Sequence, residues 1–143
     1  MNLSEHFTLN ELIDSPSAVK AGIDNTPDAS VQDNLRRLCH SLEAIRELVG
    51  APLIISSGYR CPALNTLIGG ANSSAHVRGL AADFTVVGLS PRQTVELIDD
   101  SGLVFDQLIL EFDRWVHLGL SEARPRRQVL TLNKGGGYQP GIV

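Results

Sequence analysis

Cysteine is scarce in this 143-residue chain, which has only Cys39 and Cys61. Two are too few for a disulfide framework, and no C-x-x-C spacing marks a metal or redox pair. Both read as small, semi-buried residues, with a single Cys39–Cys61 bridge left open. Neither is placed beside a histidine base; His40 follows Cys39 on a helix but points about 100° away. Long apolar runs are missing as well. None approaches the ~18 residues of a membrane span, and the start MNLSEHF lacks the basic flank and apolar core of a secretory signal. The expectation is a chain made in the cytoplasm and carried by something else to any substrate beyond the membrane. Positive charge is also short. Twelve Lys and Arg stand against 16 Asp and Glu, a net charge of -4, which argues against a nucleic-acid partner whose phosphates need neutralising over a broad face. The cations cluster late: Arg124, Arg126, Arg127 and Lys134 face only Glu122 in residues 121–143. That basic C-terminal strand and tail is either solvated or meets an anionic polymer.

What is present is ordinary for a globular protein, with 43% hydrophobic and 20% charged residues. The length fits one domain over residues 1–143. Residues 1–29 read as helical and punctuated. Thr8 with Glu11 forms a capping box for a short helix, Ser15-Pro16 starts another, and Gly22, Asn25 and Pro27 mark a loop. Val31, Leu35, Leu38, Leu42, Ile45 and Val49 repeat at steps of four and three, one helical face closed by Gly50. The period then changes. Residues 53–56 read as a strand, and Pro62 opens a short helix reaching Leu67. A Gly-rich loop follows over residues 69–74, and residues 81–87 form a strand. Ser90-Pro91 with Gln93 caps a helix running to about Asp100. Residues 106–112 and 115–120 pair as a hairpin turning at Asp113-Arg114, and residues 128–132 form a last strand. Helices first and strands later predict an α+β domain whose N-terminal helices pack on a small antiparallel sheet.

The chemistry gathers around four histidines. His6 and His40 lie outside the pattern of the other two and read as structural or exposed. His76 leaves the Gly-rich loop and Asp83 lies seven residues on, inside the expected strand. Gly79, Ala81 and Ala82 let the backbone pass close, so the pair supplies either two ligands of a three-ligand metal site or an ordinary satisfied loop histidine. His117 is the third candidate. Strand alternation sets Trp115 and His117 on one face, and Glu111 is in phase across the turn. Glu111 is then either a general base beside a metal-bound histidine or a solvated acid.

Ser57-Gly58-Tyr59-Arg60, Gly69-Gly70, Ser74-x-His76-x6-Asp83 and Trp115-Val116-His117, taken in order, resemble the zinc D-alanyl-D-alanine carboxypeptidase family of peptidoglycan peptidases. This is peptidase M15, whose fold is shared with the hedgehog signalling domain. The resemblance covers roughly residues 54–120 and is strongest to compact, phage-type members. It implies Zn2+ held by His76, Asp83 and His117, Glu111 as base, Arg60 binding a substrate carboxylate or the oxyanion, and Ser74 donating to substrate. Several members place the base three residues before the last histidine, where Arg114 stands here. A six-residue spacing selects Glu111 instead, with Asp113 as fallback. Trp115 replaces a histidine of some relatives and is expected to wall the cleft. The implied reaction is hydrolysis of an amide in peptidoglycan stem peptides by a monomer with no membrane span, acting at the wall after export or as part of a phage. The D-Ala-D-Ala carboxypeptidase type leads. An L-alanyl-D-glutamate endopeptidase would use the same ion and base, and a non-catalytic zinc-containing binding module would have no use for Glu111.

Overall fold

A computed structural model describes all 143 residues. Helix α1 (Leu9–Ile13) begins at the expected capping box: Thr8 Oγ1 accepts from the Glu11 amide at 3.2 Å, and Glu11 Oε1 accepts from the Thr8 amide at 3.1 Å. Helix α2 (Pro16–Ala21) is capped by Ser15, with Pro at its first position, and stops at Gly22. The main helix α3 (Ala29–Val49) is capped by Asp28 and ends at Gly50, whose φ of 68° is left-handed and suits a residue without Cβ. Its stripe Leu35, Leu38, Leu42 and Ile45 is buried.

Six strands form one sheet in the order β1-β2-β4-β3-β5-β6. They are β1 (Leu53–Ser57), β2 (Ala81–Val86), β3 (Gln107–Glu111), β4 (Trp115–Gly119), β5 (Gln128–Leu132) and β6 (Tyr138–Pro140). Helix α4 (Pro62–Leu67) and a 3-10 turn (Ala75–Arg78) separate β1 from β2, and α5 (Pro91–Asp100) separates β2 from β3. The α+β class agrees with expectation, but the sheet is mixed and not wholly antiparallel, because β5 runs parallel to β3. The cause is connectivity. The chain leaves β4 at Gly119, passes the start of β3, and enters β5 from the same end of the sheet, so β5 must run against β4 and along β3. Asp106 secures this crossing by accepting from the Arg126 amide at 3.0 Å and from its guanidinium at 3.0 and 2.7 Å. Arg127 binds Asp99 and lies 4.7 Å above the Phe105 ring. Two of the late cations are thereby used in the fold.

Strand alternation sorts the two sheet faces. Ala82, Phe84, Leu108, Leu110, Val116 and Leu118 join the α3 stripe and Val95 and Ile98 of α5 in one hydrophobic cluster. The other face carries Asp83, Ile109, Glu111 and His117. The turn between β3 and β4 has three residues, not two. Phe112 and Asp113 take left-handed φ values of 57° and 54°, and the Arg114 amide donates to the Glu111 carbonyl. Strand β6, after Gly135 to Gly137, is an addition to the expected elements. Both cysteines are free. Cys39 is buried in the core, where burial pushes its thiol up to about 12.

Candidate metal centre

His76 is placed by its turn. Ser74 Oγ accepts from the His76 amide at 3.3 Å, and Gly79, with φ 73°, closes the turn against α3, where a Cβ would come 2.8 Å from Val31. The imidazole is 2% exposed, and its Nδ1 donates to the Gly58 carbonyl at 2.7 Å. A carbonyl only accepts, so Nδ1 carries the proton and Nε2 keeps its lone pair. That Nε2 is buried without a hydrogen-bond partner and lies 3.4 Å from Asp83 Oδ1.

Asp83 and His117 are direct register neighbours on β2 and β4. His117 Nδ1 lies 2.9 Å from Asp83 Oδ1. One donor atom each from His76, Asp83 and His117 falls within 4.8 Å of the other two. Burial holds His76 below its ordinary pKa and so neutral. Burial acts to raise Asp83, but the hydrogen bond with His117 and the closeness of the two imidazoles outweigh it and hold the carboxyl well below the usual range. Two imidazoles and a carboxylate, with one buried ring lone pair unsatisfied, are a donor set that fits a metal site with a position left for substrate.

Three further side chains complete the cleft of about 570 Å³. Arg60 sits on the loop after β1, with Nη2 3.9 Å from Asp83 Oδ2 and Nη1 donating to Asn65 Oδ1 at 3.2 Å. Burial lowers its pKa, while Asp83 and Glu111 act to keep it charged. Gly70 is required beside it, since a Cβ there would collide with the Asn65 amide. Glu111 ends β3 with Oε1 3.9 Å from His117 Nδ1. Burial, then the Asp83 charge, pushes its carboxyl above the ordinary range; His117, the Trp115 indole and Arg60 oppose this without cancelling it. Ser74 also lines the cleft.

Asp113 and Trp115 lie elsewhere. Asp113 is exposed on the turn and paired with Arg92 at 3.1 Å. Trp115 stands beside Glu111 in register, against Phe112, and lines a separate hollow with Arg114, Asn133 and Lys134. Its buried Nε1 makes no regular hydrogen bond, yet it lies close enough to pull down the Glu111 pKa. His6 is bound by Glu43 at 2.6 Å, far from this cleft, and His40 lies near the same carboxylate.

Two supports were not anticipated. The Arg60 loop is clasped by the N-terminal segment: Tyr59 N donates to the Leu12 carbonyl at 2.7 Å, and Asn25 bonds Cys61 N at 2.7 Å and the Tyr59 carbonyl at 3.0 Å. Gly58 permits this approach, since a Cβ would collide with the Leu12 carbonyl. Tyr138 of β6 also lines the cleft. The only sequence cue for it was the Gly135 to Gly137 turn after β5, which invites a returning strand.

A His-Asp-His donor set able to hold a metal ion, with a partly buried acid and an arginine in one cleft on a mixed sheet backed by helices, is the arrangement of a metallohydrolase centre. The peptidase M15 family model matches residues 5–119, and the chain belongs to that family of metallopeptidases, which act on peptides. No curated protein matches the chain. No helix is long and apolar enough to cross a membrane.

Proposed function

We propose that the protein is a zinc-dependent peptidoglycan peptidase of the D-alanyl-D-alanine carboxypeptidase type. The observation that carries this reading is Arg60, a guanidinium held 3.9 Å from Asp83 in the cleft that also contains Glu111. A fixed planar cation beside the reacting centre suits a peptide ending in carboxylate, which it can bind through two hydrogen bonds. His76 Nε2, Asp83 and His117 Nδ1 would hold the zinc, which when bound supplies a Lewis acid for the scissile carbonyl and the attacking water.

The residues divide the remaining work. Arg60 binds the terminal carboxylate and so sets which amide reaches the centre. The Glu111 carboxylate accepts the proton of the attacking water and returns it to the nitrogen of the leaving D-alanine, so the C–N bond breaks as an amine departs. Its raised pKa matches that two-way task, because a base too acidic at neutral pH accepts protons poorly. Asp83, flanked by both histidines, keeps them oriented. Ser74 offers its hydroxyl proton to substrate while its oxygen caps the His76 turn.

A second reading, the L-alanyl-D-glutamate endopeptidase, draws on the cleft continuing past the metal centre to Gln107, Ser121 and Arg126. Chain on both sides of a scissile bond would lie there. Digestion of a soluble stem pentapeptide and of purified cell wall by the zinc-loaded protein, followed by mass spectrometry, separates the two. Loss of one alanine supports the carboxypeptidase, and cleavage after L-alanine supports the endopeptidase. No release from either substrate would sink the proposal.

A further inference from the structure

Strand β6 lies beyond residue 119, where the family match ends. It pairs only with β5, and all three of its residues are exposed. So short an edge strand buries little and does little for the core. Its placement is nevertheless fixed: Thr131 Oγ1, on a residue 1% exposed, donates to the Gly141 carbonyl at 2.7 Å, and Gly141 N donates to the Val129 carbonyl at 2.8 Å. What this fixed hairpin delivers to the cleft is Tyr138.

The register explains how. Trp115 opposes Glu111, Glu111 opposes Leu132, and Leu132 opposes Tyr138, one row across four strands. Residues in a row share a sheet face. Tyr138 therefore rises from the face of Glu111, two strands away, or about 10 Å at the backbone. Its side chain lines the cleft, and burial followed by the charges of Glu111 and Asp83 raises its pKa, so the hydroxyl keeps its proton. Arg60 lines the other part of the cleft and is held by Asn65 and Ser57. On the β5–β6 side, Tyr138 supplies a neutral O–H donor.

We propose that Tyr138 is a substrate-contacting residue added by the C-terminal hairpin, its hydroxyl donating a hydrogen bond to the substrate peptide group beside the scissile bond. The assignment rests on the stem-peptide reading above. A peptide carbonyl entering between Glu111 and the hairpin meets an ionised carboxylate, which only accepts, on one side, and the Tyr138 hydroxyl in the cleft lining is a donor on the other.

The test is steady-state kinetics of zinc-loaded wild type, Tyr138→Phe and Gln139→Ala on a soluble stem pentapeptide, with zinc content and melting temperature measured for each. Tyr138→Phe should lower kcat/KM roughly tenfold, the effect of one lost hydrogen bond to a polar group that stays desolvated. Zinc content and melting temperature should not move, since the residue is 59% exposed. Gln139→Ala, on the alternate face of the same strand, should match wild type. The affinity of Glu111→Gln for the peptide, with and without Tyr138→Phe, shows whether the bond forms in the bound state or only during reaction. An active wild type matched within twofold by Tyr138→Phe would overturn this assignment alone. A wild type that cleaves no stem peptide would overturn the proposed function and this assignment with it.

Discussion

Replacing Glu111 by Gln should move activity and stability in opposite directions. The amide is nearly isosteric, so the half-buried site is left without a cavity. What disappears is a carboxylate whose pKa is raised by burial and by Asp83. A raised carboxyl pKa means the charged form is less favoured in the fold than in the unfolded chain. Its cost is present above the folded pKa and vanishes as pH falls below the unfolded one. At pH 7 the metal-free Glu111→Gln protein should therefore melt no lower than wild type, and slightly higher. Its activity should fall by about 10²- to 10⁴-fold, the usual contribution of a positioned acid–base group, or roughly 3 to 5 kcal/mol of barrier. Asp113→Asn is the contrasting change. Asn tolerates the left-handed backbone of that turn, and the loss is one exposed ion pair with Arg92, worth less than about 1 kcal/mol. Activity should stay within about threefold. The assays are peptide hydrolysis with zinc quantified in every sample, and thermal melts in chelator. Near-wild-type hydrolysis by Glu111→Gln alongside an inactive Asp113→Asn would refute the reasoning and exchange the two roles.

Other expectations follow from the same geometry. His76→Ala and Asp83→Ala should each lose most bound zinc, measured by metal analysis; full occupancy in either would remove that residue from the donor set. Arg60→Ala should lower kcat/KM on peptides with a free terminal carboxylate by at least about tenfold with little change in melting temperature, and Arg60→Lys should not restore it, because an ammonium lacks the planar fork. Asn25→Ala should cost about 2 to 4 kcal/mol in urea unfolding, because it strands the Cys61 amide and the carbonyls of Ile13 and Tyr59. Glu43 is raised by burial, but hydrogen bonds from Ser4 and from the His6 amide and ring hold it below the ordinary range. The stability it supplies is present at neutral pH and lost as pH falls through that lowered pKa, so the gap between wild type and Glu43→Gln should close as pH falls below the ordinary carboxylate range.

The legible parts were those written in local sequence. Thr8, Ser15 and Ser90 cap their helices with side chains one turn away, and the α3 stripe needs only its own period. That His76, Asp83 and His117 meet in one cluster was expected, because two share a short segment, the third sits on an alternating strand and the family resemblance joins them. The pairing of β5 with β3 was not, because direction depends on which end of the sheet a strand enters. The site supports escaped for a related reason. Asn25 reads as a loop asparagine until the Arg60 loop is folded against it, and Tyr138 reads as a tail residue until two ladders align it with Glu111. Trp115 faces the side expected of it, yet packing against Phe112 puts it behind Glu111.

The Arg60 loop and the His76 turn are tied to each other twice: His76 Nδ1 donates to the Gly58 carbonyl, and Arg60 N donates to the His76 carbonyl at 3.1 Å. Whatever stiffens one stiffens the other. A metal ion seated on His76 Nε2 would steady the stretch of backbone that aims Arg60, and a carboxylate seated on Arg60 would steady the ring that offers its lone pair to the metal. Thermodynamic linkage makes such help reciprocal. The factor by which a bound metal would tighten a carboxylate ligand equals the factor by which that ligand would tighten the metal. Product and inhibitor carboxylates would then slow the loss of metal to a chelator, and the metal-free protein would bind them less well. The two halves of the centre would then act as one cooperative binding unit.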